Sequence, residues 1–122
     1  MPAGGVAFTT EAQITSTSWI PTDAKPFLAG VLKKAQAGGT ADCTVALYID
    51  AYRVADLISG GVGGCGGYGV LWGKSAGVWK QVIAGQDVAE CSVIRRAWAG
   101  TIPLDFFGGT CLEGTTVIPY KP

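Results

Sequence analysis

The chain has 122 residues, of which 48% are hydrophobic and 15% charged, and its nine basic and nine acidic side chains cancel. It has the size of one domain. It is too apolar to stay disordered, and its apolar runs fall far short of the ~20 residues of a spanning helix. Zero net charge gives no long-range pull towards nucleic acid or an anionic membrane, and the lack of histidine removes the commonest acid–base group at neutral pH and the commonest metal ligand.

Residues 1–18 are rich in Gly, Ala, Thr and Ser, with Val6, Phe8 and Ile14 as apolar anchors, and read as an irregular arm or at best one edge strand. The Met1–Gly5 start has no charged stretch leading into an apolar one, so no signal peptide is visible. An exported chain would have lost its signal, with Met1 added at a cloning start; a native Met1 would point to a cytosolic or virion protein.

From Asp23 a helix is expected. Asp23 suits the N-cap, and Pro26 falls in the first turn, where its missing N–H costs nothing. Phe27, Leu28, Val31, Leu32 and Ala35 recur at helical spacing, and Gly38-Gly39 stops the pattern. Gly30 within it implies a close approach to a sheet. The next stretch fits two templates. Val45, Leu47 and Ile49 alternate as in a strand, whereas Tyr48, Ala51, Tyr52, Ala55 and Ile58 also fit a helix face. β-Branched and aromatic content favours two strands, 44–49 and 52–58, joined by a turn or bulge at Asp50-Ala51.

Residues 60–67, nearly all glycine around Cys65, read as a loop. A phosphate-cradling role is not expected, because a strand rather than a helix follows the run and Lys74-Ser75 falls at a hairpin tip. Tyr68–Gly73 and Val78–Ala84 form a hairpin around Lys74–Gly77, with Val70 and Trp72 on one face and Trp79 beside Gln81. Cys91–Trp98 suits a short helix, residues 102–107 a turn or brief helical piece, and residues 115–120 an edge strand that Pro119 blocks from extending. The basic doublets Lys33-Lys34 and Arg95-Arg96 are expected on solvated faces.

Cys43, Cys65, Cys91 and Cys111 stand 22, 26 and 20 positions apart. Zinc ligands come in close pairs and often include histidine, and a redox Cys-x-x-Cys is absent, so two disulfides are expected. Of the three connectivities, Cys43–Cys65 with Cys91–Cys111 is favoured, since each pair brackets a locally closed unit.

The run from Gly69-Val70-Leu71-Trp72 through Gly77-Val78-Trp79-Lys80-Gln81-Val82, Gly85-Gln86-Asp87, Cys91 and Ile102-Pro103 to Cys111 resembles small exported bacterial domains, secreted proteins or lipoproteins of uncharacterised function. The resemblance spans about half the chain, and its motifs are structural. It implies export and supports the Cys91–Cys111 bridge, and it transfers no catalytic residue. A helix on a curved sheet also resembles cystatin-like and nuclear-transport-factor-like architectures, which implies room for a pocket and says nothing of its contents.

The expected fold is therefore α+β. Residues 19–122 form one domain, with one N-terminal helix packed on an antiparallel sheet of about four strands and a disulfide-tied C-terminal cap. An enzyme without histidine would lean on carboxylates, and a glycosidase would need two of them about 5–10 Å apart. Asp50 and Asp56 could share a sheet face, while Asp87 and Glu90 suit a helix N-terminus. No catalytic residue, metal or cofactor is assigned. The aromatic residues carry the functional expectation, with Tyr52, Tyr68, Trp72 and Trp79 as candidate ligand-binding residues. The expectation is a secreted or cell-envelope, non-catalytic binding module for a protein, peptide or glycan. A structural or assembly protein of a cell surface or virion is the alternative, and a small hydrolase a weaker one.

Overall fold

The computed structural model describes residues 5–39, 42–53, 55–86, 88–98, 102 and 109–120. Strand β1 (Val6–Phe8) and helix α1 (Glu11–Thr15) lead through a 3-10 turn (Thr22–Ala24) into α2 (Lys25–Ala37). Strands β2 (Ala46–Arg53), β3 (Leu57–Gly64), β4 (Gly66–Ser75) and β5 (Val78–Gly85) follow, then α3 (Cys91–Ala97), β6 (Thr110–Glu113) and β7 (Thr116–Pro119). Strands β1 to β5 form an antiparallel sheet in chain order, and β6 and β7 pair separately. The class is α+β, as expected.

The helix and strand placement needs correcting. Instead of one helix on about four strands, the described residues contain three α-helices and a five-stranded sheet with a separate hairpin. Within residues 1–18 the chain forms both an edge strand and a helix. Helix α1 is set by a reciprocal cap in which Thr10 Oγ1 accepts from Gln13 N–H and Gln13 Oε1 accepts from Thr10 N–H, each at 3.2 Å. Asp23 lies in the 3-10 turn and does not cap α2, whose flanking residue Ala24 offers no side-chain bond; Pro26 does occupy the first turn. The expected edge strand at 115–120 is β7, which pairs with β6 and not with the main sheet. The turn expected at 102–107 falls almost wholly outside the described residues.

The sheet is covered on both faces. Leu28 and Leu32 of α2, Ile14 of α1, and Leu47, Ile49, Ile58, Val70, Trp72 and Trp79 of the sheet form one core. Ala51, Leu57 and Leu71 face the other way and pack with Cys91, Ile94, Ile102, Cys111 and Tyr120. Strand β2 serves both because its register with β3 shifts between Ile49 and Ala51. That bulge falls where the sequence placed a turn or bulge, but β2 continues through it as one strand. A second shift pairs Leu71 with Ile83 and Trp72 with Gln81, so Val82 and Ile83 both reach the second core.

The glycine run is the largest departure from expectation. Residues 60–64 and 66–67 are strand, and Gly64 pairs with Gly66 across a turn at Cys65, where Gly66 has φ +98°. Lack of side chains permits close strand approach as well as flexibility. A Cβ on Gly60 would collide with the Tyr48 carbonyl oxygen of β2. At the next hairpin Ala76 (φ 52°) and Gly77 (φ 79°) make a two-residue turn with both residues left-handed, the form that suits strand twist.

Gly60→Ala is therefore expected to lower unfolding stability by about 1–3 kcal/mol, the usual cost of overpacking, measured by urea titration. Gly85→Ala, with open space at its Cβ position, serves as the mild comparison. Equal losses in the two would remove the close-approach explanation.

Candidate functional site

Helix α2 crosses the sheet from corner to corner, fastened at each end. At its start, Asp23 forms an ion pair with Lys74 near the β4–β5 turn. The buried Trp79 indole N–H makes no well-aligned hydrogen bond, yet it faces the Asp23 carboxylate. The Lys74 ammonium, with a smaller contribution from Trp79, holds the Asp23 carboxyl below the ordinary 3.8 against an opposing effect of desolvation. At the other end, Gln36 Nε2 donates to Thr9 O at 2.6 Å and to Val45 O at 3.1 Å, joining α2 to β1 and the entry of β2.

A diagonal helix leaves one corner of the sheet face uncovered, and an open groove of about 780 Å³ lies there. Phe27, Val31 and Ala35 of α2 form one wall, and Val62, Tyr68 and Trp72 of the sheet contribute the floor and far side. Leu28 and Leu32 are fully buried, whereas Phe27, Val31 and Ala35 are only partly covered, so the apolar face of α2 is wider than the core beneath it. Lys34 is the one charged residue among the described lining, with Gln81 the other polar side chain apart from the Tyr68 hydroxyl. The Cys43–Cys65 disulfide, with Cα atoms 5.4 Å apart, borders the groove and ties the segment entering β2 to the β3–β4 turn.

The four candidate aromatics do not form one surface. Trp72 and Trp79 belong to the core, 1% and 6% exposed, although Trp72 reaches the groove floor. Tyr52 is partly buried and stacks on Trp19 with ring centroids 5.3 Å apart, and neither ring lines the groove. Tyr68 alone of the four is exposed, at 41%, and it stands on the groove. The residues the sequence reading missed are Phe27, Val31 and Lys34. The signal was present as a second stripe at positions 27, 31 and 35, beside the 28 and 32 stripe.

The carboxylate expectation resolves differently. Asp56 is held by Arg53 in a two-pronged pair, Nε to Oδ1 at 2.6 Å and Nη2 to Oδ2 at 2.8 Å. Asp50 sits in the β2 bulge and lines a cleft to which Asp56 does not contribute. Glu90 flanks α3 without capping it through its side chain, and Asp87 lies outside the described residues. Among the described residues no three His, Cys, Asp or Glu side chains gather as a metal site would require.

Both disulfides close in the favoured pairing, and no cysteine is free. Paired cysteines of this kind belong to an oxidising environment. No helix among the described residues is long and apolar enough to cross a membrane. Comparison with known proteins finds no matching family model, no similar curated protein and no similar solved structure.

Two outcomes follow from this geometry. Because its folded pKa is depressed, Asp23 contributes stability above the unfolded value near 3.8, and that contribution is lost as pH falls through the folded value. The stability difference between the native chain and Asp23→Asn is thus expected to shrink below pH 3.8 in denaturant titrations; a constant difference would remove the Lys74 latch. Cys65 is exposed, whereas Cys91 and Cys111 are 2% and 0% exposed. Limited reductant should therefore open Cys43–Cys65 first, as seen by alkylation and peptide mass. Early alkylation of Cys91 would contradict this order.

Proposed function

We propose that the chain is an exported, non-catalytic binding module whose groove takes a short extended peptide segment with a bulky apolar side chain beside an acidic one. The observation that carries this reading is the unfilled apolar corner under α2. Its volume of about 780 Å³ is within the range of ligand sites, and its lining is mostly apolar with few polar groups. Lys34, with no acidic residue among the described lining, favours an anionic group on the ligand. Tyr68 offers an amphipathic ring of the type that often anchors recognition.

The burial of Trp72 and Trp79 argues against a glycan as the occupant, because these are the rings that would have stacked on sugar faces. The non-catalytic reading rests on the lack of histidine and on a groove in which, among the described residues, no nucleophile lies beside a base. Export rests on the two disulfides and on the resemblance to small exported bacterial domains.

Panning a random peptide display library on the oxidised chain is expected to select sequences that combine an apolar and an acidic residue. Tyr68→Ala and Lys34→Glu should each weaken the selected peptides about tenfold in fluorescence titrations, equivalent to about 1.4 kcal/mol. Unchanged affinity in both variants would overturn the groove as the site. Light scattering over a concentration series separates this reading from the assembly alternative, which requires self-association.

A further inference from the structure

The opposite face of the sheet carries a second cleft, of about 590 Å³, between strands β2–β5 and the segment leading into α3. Its floor is bare because Gly69 and Gly85 place no side chains there, so a ligand can lie against the sheet backbone. The Asp50 bulge lies on one side and Glu90 on the other, and these two acids are the only charged residues among the described lining. Bulges commonly re-aim a side chain in this way.

A neutral acceptor lies in the same cleft. Ser59 is 5% exposed and lines the cleft; its backbone is paired in the sheet, and its hydroxyl makes no hydrogen bond among the described residues. The hydroxyl oxygen is not sealed inside the core but opens onto the cleft, where a ligand can bond it. Although Asp50 as a residue is exposed, its carboxyl is sheltered enough that desolvation pushes its pKa above the ordinary value. Ile83, Val88 and Val93 give the cleft an apolar wall beside these oxygens.

We propose that this cleft binds a small primary alkylammonium, with the Asp50 and Glu90 carboxylates and the Ser59 hydroxyl as acceptors and Ile83, Val88 and Val93 against the alkyl stem. An ammonium brings three donors and no acceptor, matching a lining of carboxylate and hydroxyl oxygens. A hard divalent cation takes about six to eight oxygens, which two carboxylates supply poorly. A neutral polyol would leave both charges without a counter-ion.

The test is an amide NMR titration of the full oxidised chain with n-pentylammonium chloride, alongside n-pentanol and calcium chloride. The amine is expected to shift the Ser59, Gly69 and Gly85 resonances saturably, with a dissociation constant of about a millimolar, and pentanol is not. Asp50→Asn and Glu90→Gln should each weaken the amine about tenfold, and Ser59→Ala several-fold, with thermal melts confirming that the variants are folded. Absence of saturable shifts, equal shifts with pentanol, or saturation by calcium at these residues would overturn the proposal. Unchanged affinity in the folded Asp50→Asn and Glu90→Gln variants would do the same. The amine–alcohol comparison uses the native chain and so decides the matter even if a variant fails to fold.

Discussion

A change of phase by one residue in β2 underlies the layered arrangement. An unbroken strand would turn residues 47, 49 and 51 to the same face. The bulge at Asp50 sends Leu47 and Ile49 into the core beneath α2 and Ala51 into the core beneath α3, and returns Tyr52 to the first side. The shift at Val82 in β5 does related work at the opposite edge of the sheet. A single sheet can therefore be buried on both faces without every strand being apolar throughout. The chain's 15% charged residues fall mainly on the outer surfaces and the turns.

The same phase change explains why residues 45–58 resisted a simple reading. Strand periodicity holds up to Ile49, breaks at the bulge and resumes with opposite sense. Positions 48, 51, 52, 55 and 58 then mimic a helix stripe, although they come from two strands and a turn. Helix α2 was legible because it keeps one period over its whole length, and the β4–β5 hairpin because two apolar runs flank the turn-forming Lys74–Gly77, despite the shift at Val82. The glycine run was not, because glycine content signals flexibility and close packing equally well. The Tyr48 carbonyl beside Gly60 decides for packing here, and that contact joins residues 12 positions apart, beyond any local pattern.

The candidate site was less legible than the fold. Exposed aromatics were the natural expectation, yet burial depends on which corner of the sheet α2 leaves uncovered. The fastenings that set this crossing, Asp23 with Lys74 and Gln36 with the Thr9 and Val45 carbonyls, span many positions and carry no motif. The cysteines were easier because their spacing reflects loop closure. Bridges over separations of 22 and 20 each restrict the unfolded chain, by about 3 kcal/mol in the loop-entropy account. Cys43–Cys65 steadies the border of the groove, while Cys91–Cys111 fastens α3 to β6 within the second core.

Net neutrality conceals a separation of charge across the sheet. The groove under α2 presents Lys34 without a lining acid, and the cleft on the other face presents Asp50 and Glu90 without a lining base, among the described residues. The two openings lie on opposite sides of one sheet, and the screening length of about 8 Å at physiological ionic strength limits how strongly they feel each other. Each can thus select the opposite sign of ligand on its own, although the whole molecule exerts no net attraction on either. Selectivity of this kind comes from desolvated contact in the opening, not from long-range steering. It therefore favours ligands that bury an apolar part next to a single charge.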